Sequence, residues 1–222
     1  MLEKYFSKNQ SKLLEYIIAA KKEGRTDLPS IQELSEKLEM SVPTLREQIE
    51  ALKVLGILEA RPRHGLQIKP FNFSEGLKQN AIVAVCVDMK YFFQFSDFRD
   101  RVEMEWFIPA VENLLDSDIN QLFNFIESAK EKLKGNPIQI PHNEHKELHL
   151  SIYSRLDNLF VIGVLNTYWD LYELVGMNLY TDLDYQNEVW SYHEKIVQKI
   201  KQRDYVKSRE LLNDHMKLIY KR

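Results

Sequence analysis

The sequence has little of what would indicate a secreted or membrane protein. It contains one cysteine, Cys86, among 222 residues, which excludes an internal disulfide framework and is typical of a reducing compartment. Its longest apolar run, Ala81–Val87, is far shorter than the roughly 20 residues of a membrane span. The first twelve residues lack the apolar core of a signal peptide. We therefore expect a soluble, cytoplasmic protein with no membrane partner.

Glycine and proline are also scarce, at seven residues each, while hydrophobic residues make up 44% of the chain. This composition favours helices around a buried core. Charge is uneven: residues 1–70 hold 12 Lys and Arg against 10 Asp and Glu, and residues 71–222 hold 18 against 23. Any polyanion is therefore expected to bind the N-terminal part.

The first seventy residues carry the signals of three helices and a hairpin. Ser30 is an N-cap with Glu33 three residues on, which completes a capping box. Ser41 begins the next helix, and Gly56 follows its end. We predict helices over residues 8–23, 31–39 and 41–55, and a β-hairpin that turns at Arg63-His64-Gly65. Residues 1–70 thus form one predicted domain.

Two short helices joined by a tight turn and followed by a hairpin describe a winged helix-turn-helix. The second helix begins with small and hydrogen-bonding residues, including Ser41 and Thr44, and Arg46 projects one turn later. Such a helix end can meet base edges and phosphates. Arg63 and His64 supply cations at the wing. The alternative is a winged-helix module that binds protein.

From residue 71 onward the pattern is helical, with no convincing strand. The fold class is therefore mainly α, with an antiparallel all-α bundle over residues 71–222. The predicted bundle helices span residues 74–92, 95–114, 117–134, 141–155, 158–178, 186–202 and 204–220.

Four histidines lie on the apolar faces of three of these helices. His145 and His149 are four residues apart and share a face. His193 and His215 lie nearly equal distances on either side of a turn near residues 202–204, so they should face each other on antiparallel helices. We predict a four-imidazole site for a transition metal, with zinc first and nickel second, while copper and iron are chemically compatible. His142, nearer the helix start, is expected to be peripheral.

The N-terminal residues resemble the DNA-binding domain of GntR-type bacterial regulators. The resemblance rests on Leu28-Pro29-Ser30, Leu45-Arg46-Glu47, Leu52–Gly56 and Gly65 at the wing, while Val42 stands where the family usually has arginine. It implies binding to double-stranded operator DNA. We assign this role to Ser30, Ser41, Thr44, Arg46, Arg63, His64 and Gly65.

The bundle resembles the effector domain of the FadR branch of that family. The resemblance rests on the His145–His149 spacing, Asn158, and His193 and His215 at a separation of 22, although the family has aspartate at the position of His145. It implies a ligand-responsive homodimer that binds a metal and a small carboxylate metabolite. The family's arginine-x-x-leucine-glutamate pattern is matched to Arg101–Glu105, which makes Arg101 the expected carboxylate ligand.

A metal-dependent hydrolase is the enzyme alternative, because HKELH is similar to the H-E-x-x-H motif of zinc proteases. That motif needs its glutamate directly after the first histidine. Glu147 stands two positions on, about 200° around the helix. We therefore expect a transcription regulator and not an enzyme.

Overall fold

A computed structural model describes residues 12–179 and 182–221. In this part of the chain there are ten α-helices and one two-stranded antiparallel sheet, so the mainly-α fold class is confirmed. The chain divides into two compact units after Gly76, six residues beyond the boundary predicted from the sequence. Among the described helices, none is long and apolar enough to cross a membrane.

The first unit is a winged helix-turn-helix. Ser30 caps the second helix within a full capping box, and the Ser41 side chain caps the third. In the hairpin, Leu58 pairs with Ile68, and both are buried in the core of this unit. The predicted start of the first helix, residues 8–11, lies outside the described residues. The elements are α1 (Lys12–Lys22), α2 (Ile31–Leu38), α3 (Val42–Val54), β1 (Leu58–Arg61) and β2 (Gly65–Ile68).

Gly56 follows the end of α3 with φ +70°, a conformation that favours glycine. A Cβ atom at this position would lie 2.6 Å from Cβ of Glu75, so no larger residue fits there without a shift. Glycine thus lets the chain after α3 pack closely against the segment that follows the wing.

The second unit is an all-α bundle, and the seven predicted helices are present. The largest difference is the first break, which falls at Asp88-Met89 and not at residues 93–94; there the Asp88 carboxylate accepts a hydrogen bond from the Lys90 backbone N–H. The helices are α4 (Phe73–Val87), α5 (Lys90–Val111), α6 (Asp116–Lys134), α7 (His142–Ile152), α8 (Leu159–Leu174), α9 (Leu183–Lys201) and α10 (Tyr205–Met216), with short 3₁₀ helices at Met177–Leu179 and Lys217–Lys221.

The bundle core is continuous between α5, α6, α7, α9 and α10. Helix α9 keeps Val189, Ile196 and Val197 on its buried face, which is the 3.6-residue periodicity of a packed helix. The Asp204 side chain caps α10, so the chain reverses sharply between α9 and α10. This reversal sets the two last helices side by side.

Candidate functional site

The structure brings four histidines together inside the bundle. His145 and His149 lie one turn apart on α7, His193 lies on α9 and His215 on α10. The Nε2 atoms of His193 and His215 are 3.1 Å apart, which confirms that these two side chains face each other. We call these four residues the histidine cluster.

Three imidazoles of the histidine cluster converge on one point through the same atom. The Nε2 atom of His149 is 3.2 Å from Nε2 of His193 and 3.2 Å from Nε2 of His215. Each residue of the cluster, His145 included, offers a ligand atom, and these four atoms lie within 4.8 Å of one another. Nitrogen atoms about 2.0 Å from a tetrahedral zinc are separated by about 3.3 Å. The triangle therefore matches the spacing that a metal requires.

The protonation state of the cluster also fits a cation. Burial holds the pKa of all four imidazoles well below the ordinary value of 6.5, with further lowering by neighbouring histidines for His145, His193 and His215 and by Arg99 for all four. Neutral imidazole is the form that binds metal. Nδ1 of His193 and Nδ1 of His215 are buried and have no hydrogen-bond partner among the described residues. Three lone-pair-bearing nitrogens that face one another are satisfied together by a cation.

A buried ion pair on α5 lies against the cluster. An oxygen of Glu103, whose side chain is 0% exposed, is 3.4 Å from Nδ1 of His149. Its other oxygen is 3.2 Å from Nη2 of Arg99, and Nη1 of Arg99 donates a hydrogen bond to Asp100 at 2.9 Å. The same Nη2 atom is also in hydrogen-bond contact with Nδ1 of His149, at 3.4 Å. Burial raises the pKa of Glu103 to about 7, opposed by Arg99. A carboxylate beside the second ring nitrogen of a histidine orients that ring toward a metal.

The sequence reasoning missed Arg99 and Glu103, although a signal was present. The buried residues of α5 include Phe92, Ser96 and Phe107 together with these two. Their separations of three and four residues define one stripe along the helix. The arginine and the glutamate stand on that stripe, which predicts that they face the core.

Arg101, the expected carboxylate ligand, lies on the exposed face of α5. Its side chain is 76% exposed and forms an ion pair with Asp97 at 3.0 Å. Two residues along an α-helix correspond to a rotation of about 200°, so Arg101 points away from the side on which Arg99 meets the cluster. The arginine that lines the cavity beside the histidines is Arg99.

That cavity is small and is lined mainly by aromatic rings. Its volume is about 20 Å³, and one water molecule needs about 10–15 Å³. Trp169 and Tyr172 of α8 line it and are buried, and the Trp169 ring centroid is 4.8 Å from that of His145. The space beside the cluster is therefore the size of one water molecule.

His142 and Asn158, two further residues singled out in the sequence, serve other contacts. Nε2 of His142 is 2.9 Å from a carboxylate oxygen of Glu173, and its ring stacks on Tyr172. Asn158 caps α8 through hydrogen bonds from two backbone N–H groups. His142 is therefore peripheral to the cluster, as predicted, and Asn158 is a helix cap.

The residues assigned to DNA lie on exposed parts of the first unit. Arg46 is exposed on α3, and no ion pair within the described ranges engages it. The hydroxyl groups of Ser41 and Thr44 are 2.8 Å apart at the start of the same helix. Ser30 caps α2 and bonds the Glu33 carboxylate.

At the wing tip, Arg63, His64 and Gly65 are exposed. Arg63 and Gly65 have φ values of 66° and 73°, which make the tight turn between the two strands. The structure thus presents a helix start and a cationic turn, and both are open to a ligand.

Comparisons with known proteins agree with this architecture. The profile of the FCD domain matches residues 94–218, and that of the bacterial regulatory proteins of the gntR family matches residues 10–68. A search of curated proteins found no match. Among solved structures, Streptococcus agalactiae GntR is similar over 93% of this chain and 94% of its own, with 17% identity and a TM-score of 0.64. E. coli McbR/YncC is similar over 85% and 82%, with 20% identity and a TM-score of 0.49.

The structural likeness at this identity concerns the fold, and the profile matches establish the family. The FCD match alone covers more than half of the chain, and the GntR match covers the winged helix-turn-helix. The chain therefore belongs to the GntR family of bacterial regulatory proteins, as a DNA-binding transcription regulator with an FCD effector domain and not as an enzyme.

Proposed function

We propose that this regulator binds one divalent transition-metal ion through the histidine cluster and that this site controls operator binding. The observation that carries the proposal is the triangle of buried Nε2 atoms of His149, His193 and His215, with sides of 3.1 to 3.2 Å. Zinc is the ion we propose first, because it readily takes four nitrogen ligands, and nickel is second.

The ligands come from three different helices, so a bound ion would hold these helices together. When bound, the ion supplies a positive charge that cross-links α7, α9 and α10. Glu103 supports the site from α5, because its carboxylate lies 3.4 Å from Nδ1 of His149 and a carboxylate in this position helps to orient the ring. Four helices are thereby linked, so a metal-bound and a metal-free bundle differ in rigidity and packing.

DNA binding is assigned to the exposed end of α3 and to the wing. The start of α3 would enter the major groove, where Ser41 and Thr44 face the backbone and Arg46 reaches a base edge or a phosphate. Arg63, His64 and Gly65 would approach the backbone beside it. These roles are supported by the exposure of all six residues, and we place the regulator in the cytoplasm with the DNA it binds.

We further propose that the regulator acts as a homodimer. Helices α4 and α5 expose several large apolar side chains, including Val83, Val87, Tyr91, Phe93 and Phe98. Exposed apolar patches mark interaction surfaces, and two copies related by a twofold axis would read the two halves of a palindromic operator. The homodimer is tested by sedimentation of the purified chain and of the Val87→Glu variant, which should shift toward monomer.

Metal content is the direct test of the main proposal. Elemental analysis of the purified chain should give about one transition-metal ion per chain. His215→Ala should reduce this value to near zero, and His142→Gln is the matched control that should retain it. Absence of bound metal, together with no thermal shift after zinc or nickel is added, would refute the site.

A further inference from the structure

The space beside the histidine cluster limits what else can bind there. The cavity has a volume of about 20 Å³. This is only slightly more than the roughly 10–15 Å³ that one water molecule needs. An organic acid with three or more carbon and oxygen atoms has no room unless side chains move. Trp169 and Tyr172, both buried, line this cavity and would have to move to enlarge it.

The positive charge that would recognise a carboxylate is already neutralised from within the chain. Among the described residues that line this cavity, Arg99 is the one permanent cation. Its guanidinium is 2.9 Å from Asp100 and 3.2 Å from Glu103, and it also lies over the Tyr168 ring at 4.1 Å. A further carboxylate would approach two existing ones, and like charges at short range repel.

With His145 as the fourth ligand, the donor set would leave no coordination position for a second ligand; its ligand atom lies within 4.8 Å of the other three. Four nitrogen atoms fill the four-coordinate shell of a zinc site, whereas sites that take a further ligand keep a position open with three protein ligands. His145 supplies the fourth nitrogen. Its ring also packs against Trp169, so the same side chain fills both the coordination shell and the cavity.

We propose that the regulatory ligand of this chain is the transition-metal ion itself, held in a closed four-histidine site with no organic acid beside it. This inference rests on the proposed function, because it requires that the histidine cluster binds metal. It makes the chain a sensor of a divalent cation, in which His145 excludes the carboxylate that the family resemblance implies.

Cobalt(II) provides a direct probe of the ligand shell. Titrated into the metal-free, full-length chain, it should give the intense visible absorption of four-coordinate cobalt, saturating at one ion per chain. Adding excess lactate, pyruvate, succinate or gluconate should leave both the spectrum and the midpoint of thermal unfolding unchanged. A spectral change on adding any of these acids would overturn the inference.

The His145→Asp variant is the matched test of the fourth ligand. Aspartate restores the residue type of the family pattern and is smaller than histidine, so it opens the cavity as it changes the donor. The variant should still bind one cobalt ion, with weaker visible absorption that responds to added acids. A spectrum as intense and as insensitive to acids as that of the parent chain would show that His145 does not close the site.

Operator binding separates the inference from the proposed function. A duplex selected from a random-sequence pool by the purified chain is titrated with metal-free and zinc-loaded protein, with and without the same acids. Zinc alone should change the affinity by about tenfold or more, within the usual range of allosteric coupling, and the acids should change it by less than about twofold.

A response that needs both zinc and an acid would refute the inference and leave the metal site intact. No binding of zinc or cobalt at all would instead refute the proposed function. The two failures are therefore distinguishable in the same set of titrations.

Discussion

Zinc should stabilise the bundle strongly, and replacing one histidine should remove this effect. His193 is the residue to change, because its side chain is buried and its Nε2 atom lies 3.1 Å and 3.2 Å from those of His215 and His149. Glutamine keeps a polar side chain of similar length and lacks the imidazole nitrogen. The quantity to compare is the shift in the midpoint of thermal unfolding, Tm, that zinc causes in each protein.

The expected size follows from linkage between binding and folding. The ligands of the cluster lie on three helices and come together only in the folded bundle. An ion present at a thousandfold excess over its Kd then adds about 4 kcal/mol to the free energy of unfolding. For a chain of this size, each kcal/mol raises Tm by about 2–4 °C, so the zinc-dependent shift should be about 8–16 °C.

In the His193→Gln variant, a thousandfold loss of affinity at the same zinc concentration leaves about 0.4 kcal/mol. The shift should therefore shrink to about 1 °C. Calorimetry or circular dichroism at a fixed protein concentration, with chelator or with buffered free zinc, measures both values. Comparing shifts within each protein removes any effect of the substitution on the metal-free fold.

The matched control is His142→Gln on α7. This histidine contacts Glu173 and Tyr172 and is not part of the histidine cluster, so its variant should keep the full zinc-dependent shift. An equal shift in the His193 variant would refute the reasoning, because the triangle would then not be the binding site. Loss of the shift in the control variant would refute it as well.

Three further predictions concern DNA, the buried ion pair and pH. Arg46→Ala should weaken binding to a selected operator by about 1–3 kcal/mol, measured by fluorescence anisotropy at fixed salt, and an unchanged affinity would remove this residue from the interface. Glu103→Gln should lower zinc affinity by about 10–100-fold in a chelator competition, whereas Arg101→Gln, on the exposed face of α5, should not change it; equal effects would contradict the assignment. Burial lowers the pKa of the four clustered imidazoles below 6.5 and raises that of Glu103 to about 7. As the pH falls below 6.5, the unfolded chain binds up to four more protons than the folded one at the histidines. At the glutamate it binds up to one fewer. The free energy of unfolding therefore decreases as the pH is lowered. Denaturant unfolding of the metal-free protein should lose up to roughly 4 kcal/mol per pH unit, and constant stability between pH 7 and 5.5 would contradict this.

Much of the site could be predicted because local periodicity determined it. The face shared by His145 and His149 follows from helix geometry alone. The meeting of His193 and His215 needed one more fact, a turn placed midway between them, and Asp204 with its cap provides that turn. Where a residue's position depends on its own helix and one neighbouring turn, sequence reasoning was sufficient.

The family's arginine pattern fits the sequence in two registers, and Arg101 is the register that lies on the exposed face of α5. Arg99-Asp-Arg-Val-Glu103 and Arg101-Val-Glu-Met-Glu105 both have a glutamate four residues after an arginine. Only the buried stripe of α5 distinguishes them, since it includes Phe92 and Phe107. A pattern match that ignores helix phase cannot choose between the two.

The closure of the cavity could not be predicted from the sequence. It depends on the distance between α7 and α8 and on the orientation of Trp169 and Tyr172, which only the packed bundle determines. The break at Asp88-Met89 is different: it contains no glycine or proline, and its signal was the capping carboxylate of Asp88. A polar side chain that accepts a hydrogen bond from the backbone can therefore mark a break between two helices, as glycine or proline does.

The deep burial of the cluster also bears on the rate at which a bound ion would exchange. His149, His193 and His215 are buried, and His145 is the one half-buried member, so an ion bound as we propose would enter or leave on its side, and local opening of the bundle would be needed to release it. Exchange is then limited by the opening rate of the bundle and not by diffusion. A regulator built this way would average the metal supply over the lifetime of its closed state, and its response would lag behind brief changes in concentration.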